Sequence, residues 1–260
     1  MDEVLHHQFS EIEGDHWWFQ GRRRIVASVL RRYLPSGPGG RRIFDVGCGS
    51  GEMVDMLREF GTVSAIDPSA DAVAHCRERF GAEVQVDIGL VPDDLPGPGA
   101  VDVVTAFDVV EHLDDDLGAL RRINALLPPN GTLVVTVPAL QLLWGPHDVL
   151  NHHRRRYTRA RLRAQLETAG FSIERISYFN TVLFPVVAAV RLARRLRPHP
   201  SREGASDFTM PSPLVNRLLL GLLSSEAALL RVASLPIGVS IVAVARTSGQ
   251  ARVPPEGLPA

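Results

Sequence analysis

The chain has 260 residues, enough for one large domain or two small ones. It is 45% hydrophobic and 22% charged, as globular proteins are, and its net charge of −1 leaves no electrostatic footprint for nucleic acid. All 28 basic residues are arginines, which excludes lysine chemistry, and the two cysteines, Cys48 and Cys76, are too few for a disulfide scaffold and fit a reducing, cytoplasmic setting.

The acidic, polar start does not read as a signal peptide, and no uncharged apolar run reaches the roughly 18 residues of a membrane span. Residues 1–40 read as an N-terminal helical lid. His16-Trp17-Trp18-Phe19 is an aromatic cluster in an aromatic-poor chain, and it either staples the N-terminus to the core or closes over a ligand. Gln20 to Leu34 carries Ile25, Val26, Val29 and Leu30 at helical spacing, and Pro35 to Gly40 is a linker by composition.

Ile43 to Glu52 then reads as a buried strand, a glycine-rich turn and a helix start. Gly47, Gly49 and Gly51 permit positive φ and close backbone approach, and the helix behind them offers free N–H groups to an anionic ligand group. A G-x-G-x-x-G dinucleotide fingerprint would need glycine at position 52, where the chain has Glu52. Asp67 ends a second strand-like run, Thr62 to Ile66, about twenty residues after Gly47; a carboxylate there can accept from both hydroxyls of a ribose.

Asp45-x-Gly47-x-Gly49-x-Gly51 followed by Asp67 resembles the class I S-adenosylmethionine (SAM)-dependent methyltransferases. The resemblance runs over residues 40 to 180, with a strand near 238–246 as the closing piece. It implies an α/β, Rossmann-like fold: a seven-stranded, mostly parallel sheet with helices on both faces, an antiparallel last strand and a helical insert before it. It implies SAM as cofactor, held by Asp45, Gly47, Cys48, Gly49, Gly51, Asp67 and Pro68. It also places an acid at the end of the third strand, here Asp87 followed by Ile88, to accept from the adenine amino group; a capping or solvated loop acid is the other reading of Asp87. A similar His-Trp-Trp-Phe-x-x-Arg-Arg opening occurs in one branch of the family. On that likeness Trp17 covers the cofactor and Arg22 or Arg23 meets its methionine carboxylate, with solvated helix charges as the alternative.

The rest of the chain alternates helices and strands. Helices are expected over Glu52–Phe60, Ser69–Phe80 and Thr158–Ala169, each followed by glycine. Strands are expected over Glu83–Val86, Val101–Phe107 and Leu133–Val137, mostly apolar as parallel strands buried on both faces should be, and Phe171–Phe179 is expected as a sixth strand. Phe107 and Asp108 end the fourth strand at the carboxyl edge of the sheet, where ligands bind, and are expected to line the cofactor pocket. His112 reads as a structural histidine. Asp114-Asp115-Asp116 cannot converge on one ion from consecutive helical positions and instead suits the positive end of a helix.

Trp144 to Tyr157 leaves the same carboxyl edge after the fifth strand. Its His147, His152 and His153 are the candidate catalytic residues, His147 first, because histidine titrates near working pH. His147, Asp148 and His152 are metal-ligand types without a defined spacing, and no metal is expected. The organisation expected is a core over 41–180, an apolar helical insert over 181–236, a closing strand over 237–246 and a disordered tail over 247–260. The insert, with apolar segments Thr181–Arg197 and Pro213–Leu235 around the linker Pro198–Ser212, is a cap over a greasy substrate, a homodimer interface or a membrane-contacting surface. The resulting expectation is a cytoplasmic enzyme that methylates an oxygen or nitrogen of a small-molecule acceptor, with natural-product biosynthesis as one setting and no nucleic-acid partner. A lipid or lipid-linked glycan acceptor at a membrane surface, and a non-catalytic SAM-binding scaffold, are the other readings.

Overall fold

The computed structural model describes residues 12–34, 40–196 and 210–248. Residues 35–39, most of the linker 198–212 and the tail from 249 onward lie outside the described residues. The strands are β1 (Arg41–Val46), β2 (Gly61–Asp67), β3 (Gln85–Ile88), β4 (Val103–Phe107), β5 (Thr132–Pro138), β6 (Phe171–Phe179) and β7 (Ser240–Thr247). The longer helices are α1 (Trp17–Tyr33), α2 (Glu52–Leu57), α3 (Ala70–Phe80), α4 (Asp116–Leu126), α5 (Pro146–Leu150), α6 (Arg159–Thr168), α7 (Phe184–Leu196) and α8 (Pro213–Leu230).

One seven-stranded sheet has the order β3-β2-β1-β4-β5-β7-β6. β1 to β5 pair in parallel, and β7 inserts antiparallel between β5 and β6. Every residue of β4 and β5 is buried, because helices cover both faces. Alternate residues therefore feed two cores. Ile43 and Val134 join α1, α2, α3 and α8 on one face, while Phe44 and Val135 join α4 and α6 on the other.

In the described part of the N-terminal segment, Trp17, Trp18 and Phe19 face a cavity at the carboxyl edge while the rest of the helix joins the core. Gly21 and Ile25 to Leu30 of α1 are buried in the core, and α1 packs on α8 so closely that a Cβ at Gly21 would stand 2.5 Å from Leu223 Cδ2. The two helices of the insert have different neighbours. α7 supplies Val187 and Arg191 to a cavity at the carboxyl edge, whereas α8 buttresses α1. Buried Glu226 of α8 accepts the Val182 N–H and ties the two segments together. By length and composition α8 is apolar enough to cross a membrane; it packs one face on α1 and exposes Leu214 and Leu218.

The third strand begins two residues later than expected. Gly81 turns at φ 54° and residues 81–83 form a 3-10 turn, which shifts pairing to Gln85–Ile88 and puts Asp87 inside the strand, opposite Ile66. The aspartate triplet divides its work. Asp115 caps α4 by accepting from Gly118 N, while buried Asp116 accepts from the Tyr157 hydroxyl at 2.7 Å and pairs with Arg155 at 2.9 Å. Tyr157, itself wholly buried, thereby pins the end of the loop after β5 to the start of α4.

Candidate functional site

The carboxyl ends of β1, β2, β4 and β5 open into a cavity of about 670 Å³, near the middle of the roughly 300–1,000 Å³ range of small-molecule sites. One half is built by local sequence. Gly47 and Cys48 donate their N–H groups to Ile66 O, turning the chain at the end of β1. Gly47 has φ 72°, and a Cβ there would meet Val109 Cγ2 at 2.6 Å. At Gly49, φ 53°, a Cβ would find nothing within 4 Å, so the backbone is bare toward the cavity. Asp67 is 5% exposed and holds this turn together: Oδ2 accepts from Gly49 N and Oδ1 from Ser69 N, both at 2.9 Å. Each oxygen keeps a spare lone pair. Pro68 lines the wall beside it.

Asp45 sits behind this turn, 1% exposed, and accepts from the Thr105 hydroxyl. Burial pushes its carboxyl up to about 7, against the opposing pull of Thr105. Phe107 and Asp108 reach the cavity from β4; Asp108, at φ 57°, pairs with Arg22 at 2.5 Å, and the Arg22 guanidinium lies over the Phe107 ring. Arg23 also lines the cavity but is paired with Glu52 at 2.9 Å. Trp17, Trp18 and Phe19 line the same opening. They are held because buried His16 caps α1 by accepting from Trp18 N, Trp17 N donates to Asn216 of α8, and Trp18 stacks on Phe179 at 6.2 Å.

Four expected positions lie elsewhere. Gly51 caps α2 at φ 85°; its missing Cβ makes room for Phe80 and Cys76, so its part is in packing. Asp87 and exposed Ile88 do not line the cavity. The shifted strand leaves Asp87 half exposed, accepting from Arg77 and Gln85, and Gly89 to Val91 form the wall instead. His152 stands at φ 54° at the turn after α5 and is exposed, outside the cavity. The trio His147, Asp148 and His152 therefore does not converge.

The other half of the cavity is built by residues distant in sequence. His147, Asn151 and His153 reach it from the loop after β5, Glu111 and His112 from the 3-10 turn after β4. Asn151 Nδ2 stands 3.0 Å from His147 Nδ1. The carboxylate next to His147 in sequence serves a different histidine: Asp148, fully buried, accepts from His153 Nδ1 at 2.9 Å, Arg156 Nε at 2.7 Å and Gly145 N at 2.8 Å. Burial raises its pKa, but the hydrogen bonds from His153 and Arg156 outweigh this and hold the carboxyl well below its usual range. Arg156 is anchored in turn on Ala139 O, and its backbone N–H donates to Gln141. His112 is pushed down to about 4 by burial and by the neighbouring His153. Glu111 is wholly buried, with no hydrogen-bond partner on either carboxylate oxygen; burial, then Asp108, push its carboxyl well above the usual range.

The sequence reading passed over Glu111, Asn151, Arg156, Val187 and Arg191. The carboxyl-edge rule that singled out Phe107 and Asp108 extends naturally to Glu111 and would have found it; nothing local marks the others. The first half of the cavity fits SAM on two observations: a buried carboxylate with spare acceptors at Asp67 and an open, side-chain-free backbone at Gly49.

The sequence profile of the family described as methyltransferase domain matches residues 18–176. A probable S-adenosylmethionine-dependent methyltransferase of Mycolicibacterium smegmatis is 32% identical over 164 residues, which cover 62% of this chain and 61% of that protein. A ubiquinone biosynthesis O-methyltransferase of Xanthomonas campestris pv. campestris is 36% identical over 102 residues, 37% of this chain and 43% of that one. The matches thus span less than two thirds of either relative. Among solved structures, a Haloferax volcanii methyltransferase in complex with the Trm112 methyltransferase activator aligns with a TM-score of 0.63 over 96% of this chain and 97% of its own, at 19% identity, a likeness of fold. Because the family match takes in more than half of the chain, from the aromatic cluster to β6, the chain belongs to the class I SAM-dependent methyltransferases.

Proposed function

We propose that the protein transfers a methyl group from SAM to a hydroxyl oxygen of a small-molecule acceptor, with His147 taking the hydroxyl proton. The observation that carries this reading is the division of one cavity into the Gly49–Asp67 half and the half lined by His147, Asn151 and His153. SAM supplies an electrophilic methyl group on a sulfonium. The acceptor oxygen forms a bond to the methyl carbon as the carbon–sulfur bond breaks and sulfur keeps the electron pair. Asp67 would accept the ribose hydroxyls, and Arg22, steadied by Asp108, would hold the carboxylate of the methionine moiety. Trp17 and Phe19 exclude water, and alignment alone can supply about 7 kcal/mol of the barrier. The O-methyltransferase among the relatives supports oxygen over nitrogen, and His16-Trp17-Trp18-Phe19 supports the branch of the family with that opening. The free cysteines Cys48 and Cys76 support a cytoplasmic setting.

The test is a panel of hydroxylated and amine acceptors incubated with isotopically methyl-labelled SAM, with the labelled atom located by mass spectrometry and NMR. Label on oxygen is the expected result; label on nitrogen alone overturns the oxygen assignment. A second reading, a lipid-borne acceptor at a membrane surface, is favoured by exposed Val186, Val190 and Leu192 on α7 and Leu214 and Leu218 on α8. Flotation with anionic phospholipid vesicles decides it, since a protein that stays at the bottom of the gradient has no such surface.

A further inference from the structure

We propose that Glu111, His112 and His153 form a binding site for one divalent transition-metal ion in the acceptor half of the cavity. One ligand atom from each lies within 4.8 Å of the other two. Ligand atoms about 2.1 Å from a tetrahedral ion stand about 3.4 Å apart, so binding draws the donors together by up to about 1.4 Å. The His112 and His153 rings are already edge to face, with centroids 4.7 Å apart.

Three independent features point to a cation rather than to ordinary packing. First, the Glu111 carboxylate is 0% exposed and neither oxygen has a hydrogen-bond partner. A buried, unmatched carboxyl group is costly, and native proteins rarely leave one without a reason. The groups around it do not settle its charge. Asp108 opposes ionisation, while Arg22 and Arg156 favour it but are committed to Asp108 and Asp148. Second, His153 donates from Nδ1 to Asp148, which fixes the tautomer and leaves Nε2 with a free lone pair. Asp148 is itself held by Arg156 and Gly145, so this histidine is oriented by the carboxylate–histidine arrangement that supports metal ligands. Third, the donors come from two chain segments, the turn after β4 and the loop after β5, and both line the cavity. A closed structural site would not face a cavity.

Two imidazoles and a carboxylate suit Zn²⁺, Co²⁺, Mn²⁺ or Fe²⁺ better than Mg²⁺, and three protein ligands leave positions open to the cavity. On the acceptor reading given above, an acceptor hydroxyl bound at an open position would lose its proton more readily, and His147 lines the same cavity. Binding of the ion itself does not depend on that reading.

The experiment uses the full chain after chelator treatment, titrated with Co²⁺ and Zn²⁺ by calorimetry and, for Co²⁺, by visible absorption, with and without S-adenosylhomocysteine (SAH). The expected result is one ion per chain and a Co²⁺ spectrum of low coordination number. Glu111→Gln and His153→Ala should abolish that spectrum, Asp148→Asn should weaken binding about 10- to 100-fold, and exposed His152→Ala should change nothing. SAH affinity and circular dichroism report whether each variant is folded; Glu111→Gln, which is nearly isosteric, should keep both. Absence of ion binding in a wild-type protein that binds SAH overturns the metal site alone. Undiminished Co²⁺ binding in a folded Glu111→Gln or His153→Ala protein overturns it as well. Loss of SAH binding with the Co²⁺ spectrum intact would instead count against the cofactor half and leave the metal site standing.

Discussion

Asp67 carries the sharpest prediction. In the folded chain each of its carboxylate oxygens accepts one backbone N–H, from Gly49 and from Ser69, and the group is nearly inaccessible. An amide has a single acceptor oxygen, so Asp67→Asn sets an NH₂ against one of these two N–H groups and loosens the glycine turn. It also turns hydrogen bonds from the ribose hydroxyls to a charged acceptor into neutral ones. Charged hydrogen bonds contribute about 1.5–3 kcal/mol and neutral ones about 0.5–1.5, so the substitution should cost about 2–3 kcal/mol of binding, or roughly 30- to 150-fold in Kd. Asp67→Ala loses both acceptors and should cost more than about 100-fold. Calorimetric titration with SAH measures this directly. The matched control is Asp87→Ala, which should leave Kd nearly unchanged because Asp87 is turned toward Arg77 and away from the cavity. An Asp67→Asn protein that binds SAH within about threefold of wild type would refute the argument, and a large effect at Asp87 would refute the placement of the third strand.

Other expectations follow from the same geometry. His147→Ala should lower kcat by about 100- to 10,000-fold at unchanged SAH affinity, while His152→Ala, on the exposed turn, should keep both; steady-state kinetics beside calorimetry will show whether the base was chosen correctly. Asp148→Asn leaves Arg156, 6% exposed, without its carboxylate and should cost about 3–5 kcal/mol in urea unfolding; a loss below about 1 kcal/mol would mean that water already screens the pair. Asp45 has a folded pKa raised to about 7 from an ordinary 3.8, so folding takes up a proton between these values. Its contribution to stability is full below about pH 4 and is lost as pH rises to about 7, by as much as about 4 kcal/mol. Glu111 slopes in the same direction, so the quantity to read is the difference between wild type and Asp45→Asn; a difference that stays constant across this window would show that Asp45 is not buried as described.

The turn between β1 and α2, its partner Asp67 and the β/α alternation were all legible in the sequence, because each depends on neighbours in the chain. Glycines at 47 and 49 are required by a backbone that turns at positive φ, and a strand covered on both faces must be apolar throughout. The sixth strand fell at Phe171–Phe179, between Gly170 and Asn180, as expected. Other features depended on residues that the sequence keeps apart. A 3-10 turn of three residues moved β3 along its partner and carried Asp87 away from the cavity. His147, His152 and His153 look alike in sequence. A left-handed turn at His152 and the Arg156 anchor on Ala139 decide which of them face the cavity and which one Asp148 holds. The pairing of α1 with α8, where Gly21 meets Leu223, joins positions about two hundred residues apart and buries the helix behind the aromatic cluster in the core. The burial of Glu111 beside two histidines likewise arises only when the turn after β4 meets the loop after β5. The Gly49–Asp67 half of the cavity is local backbone geometry and could be read from the chain; the half lined by Glu111, His147 and His153 is made by long-range packing, and packing alone decided it.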